Sequence, residues 1–163
     1  MNVIFPGSFD PLTKGHEDII NRIVEIFGYV DVLILNNYNK KHTFSILERK
    51  EMILKIFENN SKVKVNIYNG LLADYIKQNH VDIIVRALRN TLDFENEKIN
   101  AKINKELADV ETFVLFSQKN NEYISSTIVK DIYFNGGDVS SYVDKVVLEM
   151  LNDKFRRNEL WKF

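Results

Sequence analysis

Five short apolar runs dense in β-branched residues, each followed by a stretch of helical periodicity, constrain this chain more than any other feature. They lie at Val3–Phe5, Val30–Leu35, Val63–Ile67, Ile83–Val85 and Thr112–Phe116. Several are nearly continuous rather than alternating in polarity, the pattern of strands covered on both faces of a parallel sheet. After the first run, His16, Ile20, Ile23 and Phe27 fall on one helical stripe. Ser45-Ile46-Leu47-Glu48 has capping-box spacing and leads into Met52, Ile53, Ile56 and Phe57. Further helices are predicted over about Leu71–Gln78 and Leu92–Leu107. Beyond the fifth run only helices follow. One is capped by Ser125 or Ser126, runs through Phe134 and stops at Asn135-Gly136-Gly137; another begins near Ser141 and reaches at least Lys154. The expected fold is α/β: an open five-stranded parallel sheet flanked by helices, with right-handed crossovers and a C-terminal helical segment. No repeat or linker-like stretch divides the 163 residues, which read as one domain over 1–163 with residues 155–163 as a tail extension.

Composition narrows the function classes. With 22 Lys+Arg against 23 Asp+Glu and a net charge of −1, the chain lacks the strongly basic face of a nucleic-acid coat. The absence of Cys excludes disulfides, thiolate metal sites and Cys nucleophiles, and His16, His42 and His80 show no zinc-ligand spacing, so no metal site is expected. No segment approaches the ~18 apolar residues of a membrane span. The opening Met1-Asn2-Val3-Ile4-Phe5-Pro6 is no secretory signal. A soluble, cytoplasmic protein without membrane or nucleic-acid partners is expected.

In open α/β sheets ligands sit at the carboxyl ends of the strands. After the first run, Pro6-Gly7-Ser8-Phe9-Asp10-Pro11-Leu12-Thr13-Lys14-Gly15-His16 turns into a helix N-terminus, which favours an anion. It reads either as an anion site or as a tight β-α turn with a structural histidine; it is neither a Walker loop nor a dinucleotide fingerprint. After the second run, Lys40 and Lys41 are solvated charges or phosphate contacts. After the fourth, Arg86-Ala87-Leu88-Arg89 carries two of only six arginines. These either open the next helix on the surface, against its dipole, or face a polyphosphate. Asp93, Glu95 and Glu97 follow, and at least two of them are explained by the helix dipole. Ser125, Ser126 and Thr127 are an N-cap with spare hydroxyls or a second anion-binding end. Taken together the set converges on a ligand with several phosphates. The chemistry it could support is phosphate positioning with direct displacement, which needs mainly alignment and charge neutralisation.

Pro6-Gly7-Ser8-Phe9-Asp10-Pro11 with Thr13-Lys14-Gly15-His16 resembles the opening of the bacterial phosphopantetheine adenylyltransferases, Rossmann-like nucleotidyltransferases with a Thr/His-x-Gly-His motif. The likeness continues through Lys40-Lys41, Phe44-Ser45-Ile46-Leu47-Glu48-Arg49, Arg86-Ala87-Leu88-Arg89 and Asp93-Phe94-Glu95. It resumes at Glu111–Leu115, Tyr123–Lys130 and Gly136-Gly137-Asp138-Val139, covering Val3 to about Lys154.

The resemblance implies adenylyl transfer from ATP to 4′-phosphopantetheine with Mg²⁺, giving dephospho-coenzyme A and pyrophosphate by direct attack without a covalent enzyme intermediate. It implies that His16 stabilises the transition state, beside Ser8 and Phe9 at the shared site. Lys40 and Arg86 would hold the acceptor phosphate and Leu72 its pantetheine arm. Arg89, Ala87, Leu88 and Glu97 would contact ATP. Asn121, Glu122, Tyr123, Ile124, Ser125, Ser126 and Thr127 would close over the nucleotide. It further implies a cytoplasmic homohexamer inhibited by coenzyme A. Competing readings are a related transferase using nicotinate mononucleotide or CTP, and a non-catalytic nucleotide- or coenzyme-A-binding module.

Ser8 stands where the family often has Thr, Thr127 ends an Ile-Ser-Ser-Ser pattern, and Ala87 replaces the Gly of Arg-Gly-Leu-Arg. Because Ile83, Ile84 and Val85 favour extended backbone, Ala87 is expected at negative φ with its methyl directed away from the phosphate site.

Overall fold

The computed structural model describes residues 1–36, 41–89, 91–117 and 123–155. Its elements are β1 (Val3–Gly7), α1 (Lys14–Phe27), β2 (Val30–Leu35), α2 (Ile46–Ile56), β3 (Val63–Tyr68), α3 (Leu72–Gln78), β4 (Ile83–Leu88), α4 (Thr91–Ala108), β5 (Glu111–Phe116), α5 (Ser126–Phe134) and α6 (Lys145–Phe155). Every strand pairing is parallel, and the sheet order is β3-β2-β1-β4-β5. The expected open five-stranded parallel sheet with a helical C-terminal segment is what forms.

Strand alternation sorts the core into two layers. Val3, Phe5, Val32, Ile34, Val65, Ile83 and Val85 face α1, α2, α5 and α6, where they meet Ile19, Ile20, Ile23, Met52, Ile53, Val129, Val147 and Leu151. Ile4, Leu33 and Ile84 face the other way, onto Tyr75 and Ile76 of α3, with Ala108 at the end of α4 against them. Burial on both faces explains why these runs are continuous rather than alternating.

Three boundaries depart from the sequence reading by more than one residue. β1 continues through Pro6 to Gly7, and β4 continues from Val85 through Arg86 and Ala87 to Leu88. The β4 extension is held by β5, with Arg86, Ala87 and Leu88 opposite Val114, Leu115 and Phe116. Arg86 and Ala87 are therefore strand residues, and neither opens the next helix, which starts at Thr91. The last helix starts at Lys145 rather than near Ser141; residues 140–143 form turns, and the Asp144 carboxylate accepts the N–H of Val146.

Local signals set the other ends. Ser45 and Glu48 make the reciprocal capping box expected of them. Ser125, not Ser126, caps α5, accepting the N–H of Ile128. Gly28 closes α1 at φ 81°, a conformation costly for residues with a Cβ.

Beside Ile4 the sheet splits. β1 pairs with β2 along Ile4–Gly7 but with β4 only at Val3 and Ile4. Pro6 has no N–H to give a ladder there. β1 and β4 are also where the strand order reverses direction, the switch point at which such sheets open a crevice.

Candidate active site

The crevice between the carboxyl ends of β1 and β4 encloses a cavity of about 280 Å³. Of the residues expected at the site, Ser8, Phe9, His16, Arg86, Ala87, Arg89, Glu97 and Ile124 line it together. Phe5, Pro6, Gly7, Thr13, Gly15, Asp93 and Ser117 complete the wall.

The loop from Gly7 to Thr13 is shaped by packing. Phe9 is buried and holds the left-handed conformation at φ 49°, a conformation that costs an ordinary residue roughly 1–2 kcal/mol. Its ring lies edge-on between Phe5 and His16, with centroids 5.5 and 5.3 Å away. A Cβ on Gly7 would meet that ring at 2.8 Å, so the close approach requires glycine. From the other side Arg49, itself buried on α2, donates to the Ser8 carbonyl at 2.7 Å.

His16 is the third residue of α1, and Thr13 is its N-cap. The Thr13 backbone N–H donates to Nδ1 of His16 at 3.1 Å, closing a capping box in which an imidazole replaces the usual carboxylate. An Nδ1 that accepts leaves the proton of the neutral ring on Nε2. Desolvation, then the charges of Arg89 and Arg86, lower the His16 pKa from 6.5 to about 4. Near neutral pH the ring is an uncharged donor beside two arginines.

Arg86 reaches from β4 across the split to the Pro6 carbonyl, Nη1 donating at 2.6 Å, so it substitutes for the missing ladder. Its Nε and Nη2 donate to the two carboxylate oxygens of Glu97 on α4. Arg89, just beyond β4, donates through Nε to Asp93 at 3.2 Å and through Nη1 to the Ile124 carbonyl at 3.5 Å. Glu97 and Asp93 thus orient arginines, and since only Asp93 lies in the first turn of α4, the expectation that the helix dipole explains at least two of the early acids is corrected to one. Glu95 pairs with Lys98 at 3.5 Å.

Other expected residues lie outside the cavity wall. Leu88 is buried, and its carbonyl accepts the N–H of Ser117. Leu72 begins α3 and packs against the second core layer. Ser125 is occupied as the N-cap of α5, Ser126 donates to the Pro11 carbonyl at 2.8 Å, and Thr127 is exposed. Tyr123 is exposed and stands edge-on to Tyr142. Lys40, Asn121 and Glu122 fall outside the described residues, as does the tail beyond Phe155.

Ala87 lies within β4 and is not among the positive-φ residues, as expected. It packs against the first core layer, on the strand face it shares with Val85, and the residue also borders the crevice. Sequence reading named Thr13, Asp10, Arg49 and Asp93 within motifs but gave them no role in the site. Only Thr13 carried a local signal, an N-cap type three residues before His16.

Comparison with known proteins follows the same lines. The cytidylyltransferase-like family matches residues 4–132. The phosphopantetheine adenylyltransferase of Bdellovibrio bacteriovorus is 43% identical over 155 residues, 94% of this chain and 97% of that protein. That of Flavobacterium psychrophilum is 44% identical over 144 residues, 88% of this chain and 95% of the relative. Among solved structures, the nicotinic acid mononucleotide adenylyltransferase of Plasmodium falciparum complexed with NaAD superposes with a TM-score of 0.66 at 18% identity, covering 99% of this chain and 97% of that one. At that identity the likeness is one of fold.

Proposed function

The chain belongs to the cytidylyltransferase-like family and, within it, to the phosphopantetheine adenylyltransferases, and on that premise we propose that its crevice joins ATP to 4′-phosphopantetheine. A phosphate oxygen of the acceptor attacks the α-phosphorus of ATP. One P–O bond forms as the bond to the β-phosphate bridge breaks, giving dephospho-coenzyme A and pyrophosphate. Such a reaction needs alignment and charge neutralisation more than covalent participation by the protein.

The observation that carries the reading is the convergence of an uncharged His16, Arg86 and Arg89 on one crevice at the sheet's switch point. His16 donates to the charge that builds on the α-phosphate oxygens. Arg86 and Lys40 hold the acceptor phosphate, and Leu72 takes the pantetheine arm. Arg89, with Ser8, Phe9 and Ala87, holds ATP, Glu97 borders the nucleotide while aiming Arg86, and residues 121–127 close over it.

Mg²⁺ fits as an ion brought in on the triphosphate, where it would neutralise phosphate charge. Among the described residues no three His, Cys, Asp or Glu cluster to hold a metal, and Asp93 and Glu97 each already bind an arginine.

The assembly we propose is a homohexamer in the cytoplasm. Exposed Ile99, Ile103 and Leu107 along α4 and exposed Phe113 and Phe116 on the edge strand β5 support burial between copies. Among the described residues no helix is long and apolar enough to cross a membrane.

The test is pyrophosphate release with ATP or CTP, each crossed against 4′-phosphopantetheine and nicotinate mononucleotide. Turnover is expected with ATP and 4′-phosphopantetheine. Turnover confined to nicotinate mononucleotide, or to CTP, would overturn the assignment.

A further inference from the structure

We propose that Asp10 is a positioning residue that couples the two substrate-binding elements, its carboxylate tying the segment after β2 to helix α5. The proposal rests on the adenylyl-transfer reading, in which Lys40 serves the acceptor and residues 121–127 serve ATP.

Asp10 is 3% exposed. Its Oδ1 accepts the Phe44 N–H at 2.8 Å. Its Oδ2 accepts the Thr43 N–H at 2.8 Å and Lys130 Nζ of α5 at 3.2 Å, with Nδ1 of His42 at 3.7 Å. Among the described residues, the polar links from 42–44 to α5 all run through this one carboxylate. Its chain neighbours reach the crevice and the same helix. Phe9 forms part of the crevice wall, and the Pro11 carbonyl accepts the hydroxyl of Ser126 in the first turn of α5.

Lys40 precedes His42 by two positions, and α5 begins where the nucleotide-closing segment ends. Setting either element therefore sets the other through a short, buried, charge-assisted connection. Neither Asp10 nor Lys130 lines the crevice, so both act through other residues. Coupling of this kind is reciprocal: ATP in place strengthens acceptor binding by the factor with which acceptor strengthens ATP binding.

Calorimetric titration of the full chain with 4′-phosphopantetheine, with and without α,β-methylene-ATP, measures that factor directly. The wild type is expected to bind the acceptor at least about fivefold more tightly when the analogue is present. Lys130→Met keeps the caps on Thr43 and Phe44 but cuts the link to α5, and should bring the factor close to unity. The acceptor KM should rise about 5- to 10-fold, with Lys130→Arg restoring most of it. Asp10→Asn should lower the factor likewise, and the double variant should add nothing to Lys130→Met, as expected of one shared interaction. A Lys130→Met protein that loses thermal stability while keeping the wild-type factor overturns the proposal, and so does a wild-type factor of one. A wild type that does not bind the acceptor removes the reading of the crevice itself, and the coupling with it.

Discussion

Arg86 of β4 and Glu97 of α4 form a two-pronged ion pair, Nε donating to Oε2 at 2.7 Å and Nη2 to Oε1 at 2.6 Å. Nη1 of the same guanidinium donates to the Pro6 carbonyl at 2.6 Å. Three of the five N–H groups of an arginine are thereby taken, and the two that remain share one fixed plane at the crevice. Glu97 therefore aims Arg86 rather than merely neutralising it. A lysine at this position would have no fork to aim.

Glu97→Gln should accordingly damage the acceptor side of the reaction. A carboxamide can accept one of the two bonds but offers an N–H where the second was accepted. We expect kcat/KM for the acceptor to fall about 10- to 100-fold, the order seen when a reacting group is misplaced by a fraction of its contact distance. Steady-state kinetics with each substrate varied checks this; unchanged acceptor kinetics would show that Pro6 alone holds Arg86.

His16→Ala should lower kcat about 10²- to 10³-fold, as for the loss of one donor aimed at developing charge, with a much smaller effect on ATP affinity measured by calorimetry. Equal losses in both would contradict that role. In the free protein, the depressed pKa keeps the imidazole neutral, so its NMR signals should not titrate between pH 8 and about 5.5. The sign for stability follows. Between pH 6.5 and about 4 the unfolded chain takes up a proton that the folded His16 refuses, so this group lowers stability as pH falls through that window.

Glu17 behaves in the opposite sense. Desolvation, with the Asp144 carboxylate adding to it and Lys14 opposing, raises its pKa from 4.5 to about 7. Its contribution is intact below about pH 4.5 and is lost as pH rises through 7. Glu17→Gln should gain about 1 kcal/mol over the wild type at pH 8, a figure discounted for partial solvent screening. The gain should vanish near pH 4.5. Denaturant unfolding of both proteins at the two pH values decides it, and an equal gain at both would place the cause elsewhere.

Ala87→Gly should leave ATP affinity nearly unchanged, because the extended backbone of β4 needs no left-handed residue there. Stability should drop by roughly 0.5–1 kcal/mol from the added freedom of the unfolded chain. A glycine variant that binds ATP several-fold more tightly would show that the methyl restricts the nucleotide.

Much of this protein was legible in its residues because the relevant physics acts over a few positions. β-branched runs wanted cover on both faces and became Val30–Leu35 and its partners; Ser45 and Glu48 satisfied each other's backbone three residues apart. The likeness of Pro6–His16 and Arg86–Arg89 to a known family likewise gathered His16, Arg86 and Arg89 at one site. What the chain could not announce were the relationships that exist only once strands are ordered. The β-branched run stops at Val85, yet Arg86–Leu88 stay extended because β5 supplies their hydrogen bonds.

Placing β1 between β2 and β4, with a proline where the second ladder would continue, opened the crevice. That opening sent Arg86 to a carbonyl 80 residues away. Asp10 looks in sequence like one more turn residue, and it becomes a hub only because Thr43, Phe44 and Lys130 arrive from distances of 33, 34 and 120 residues. The sequence by itself determined which segments are strands and helices and which side chains have phosphate chemistry. Tertiary structure decided which of those charges are aimed, paired or shielded, since a buried charge takes its properties from neighbours that only folding brings within reach.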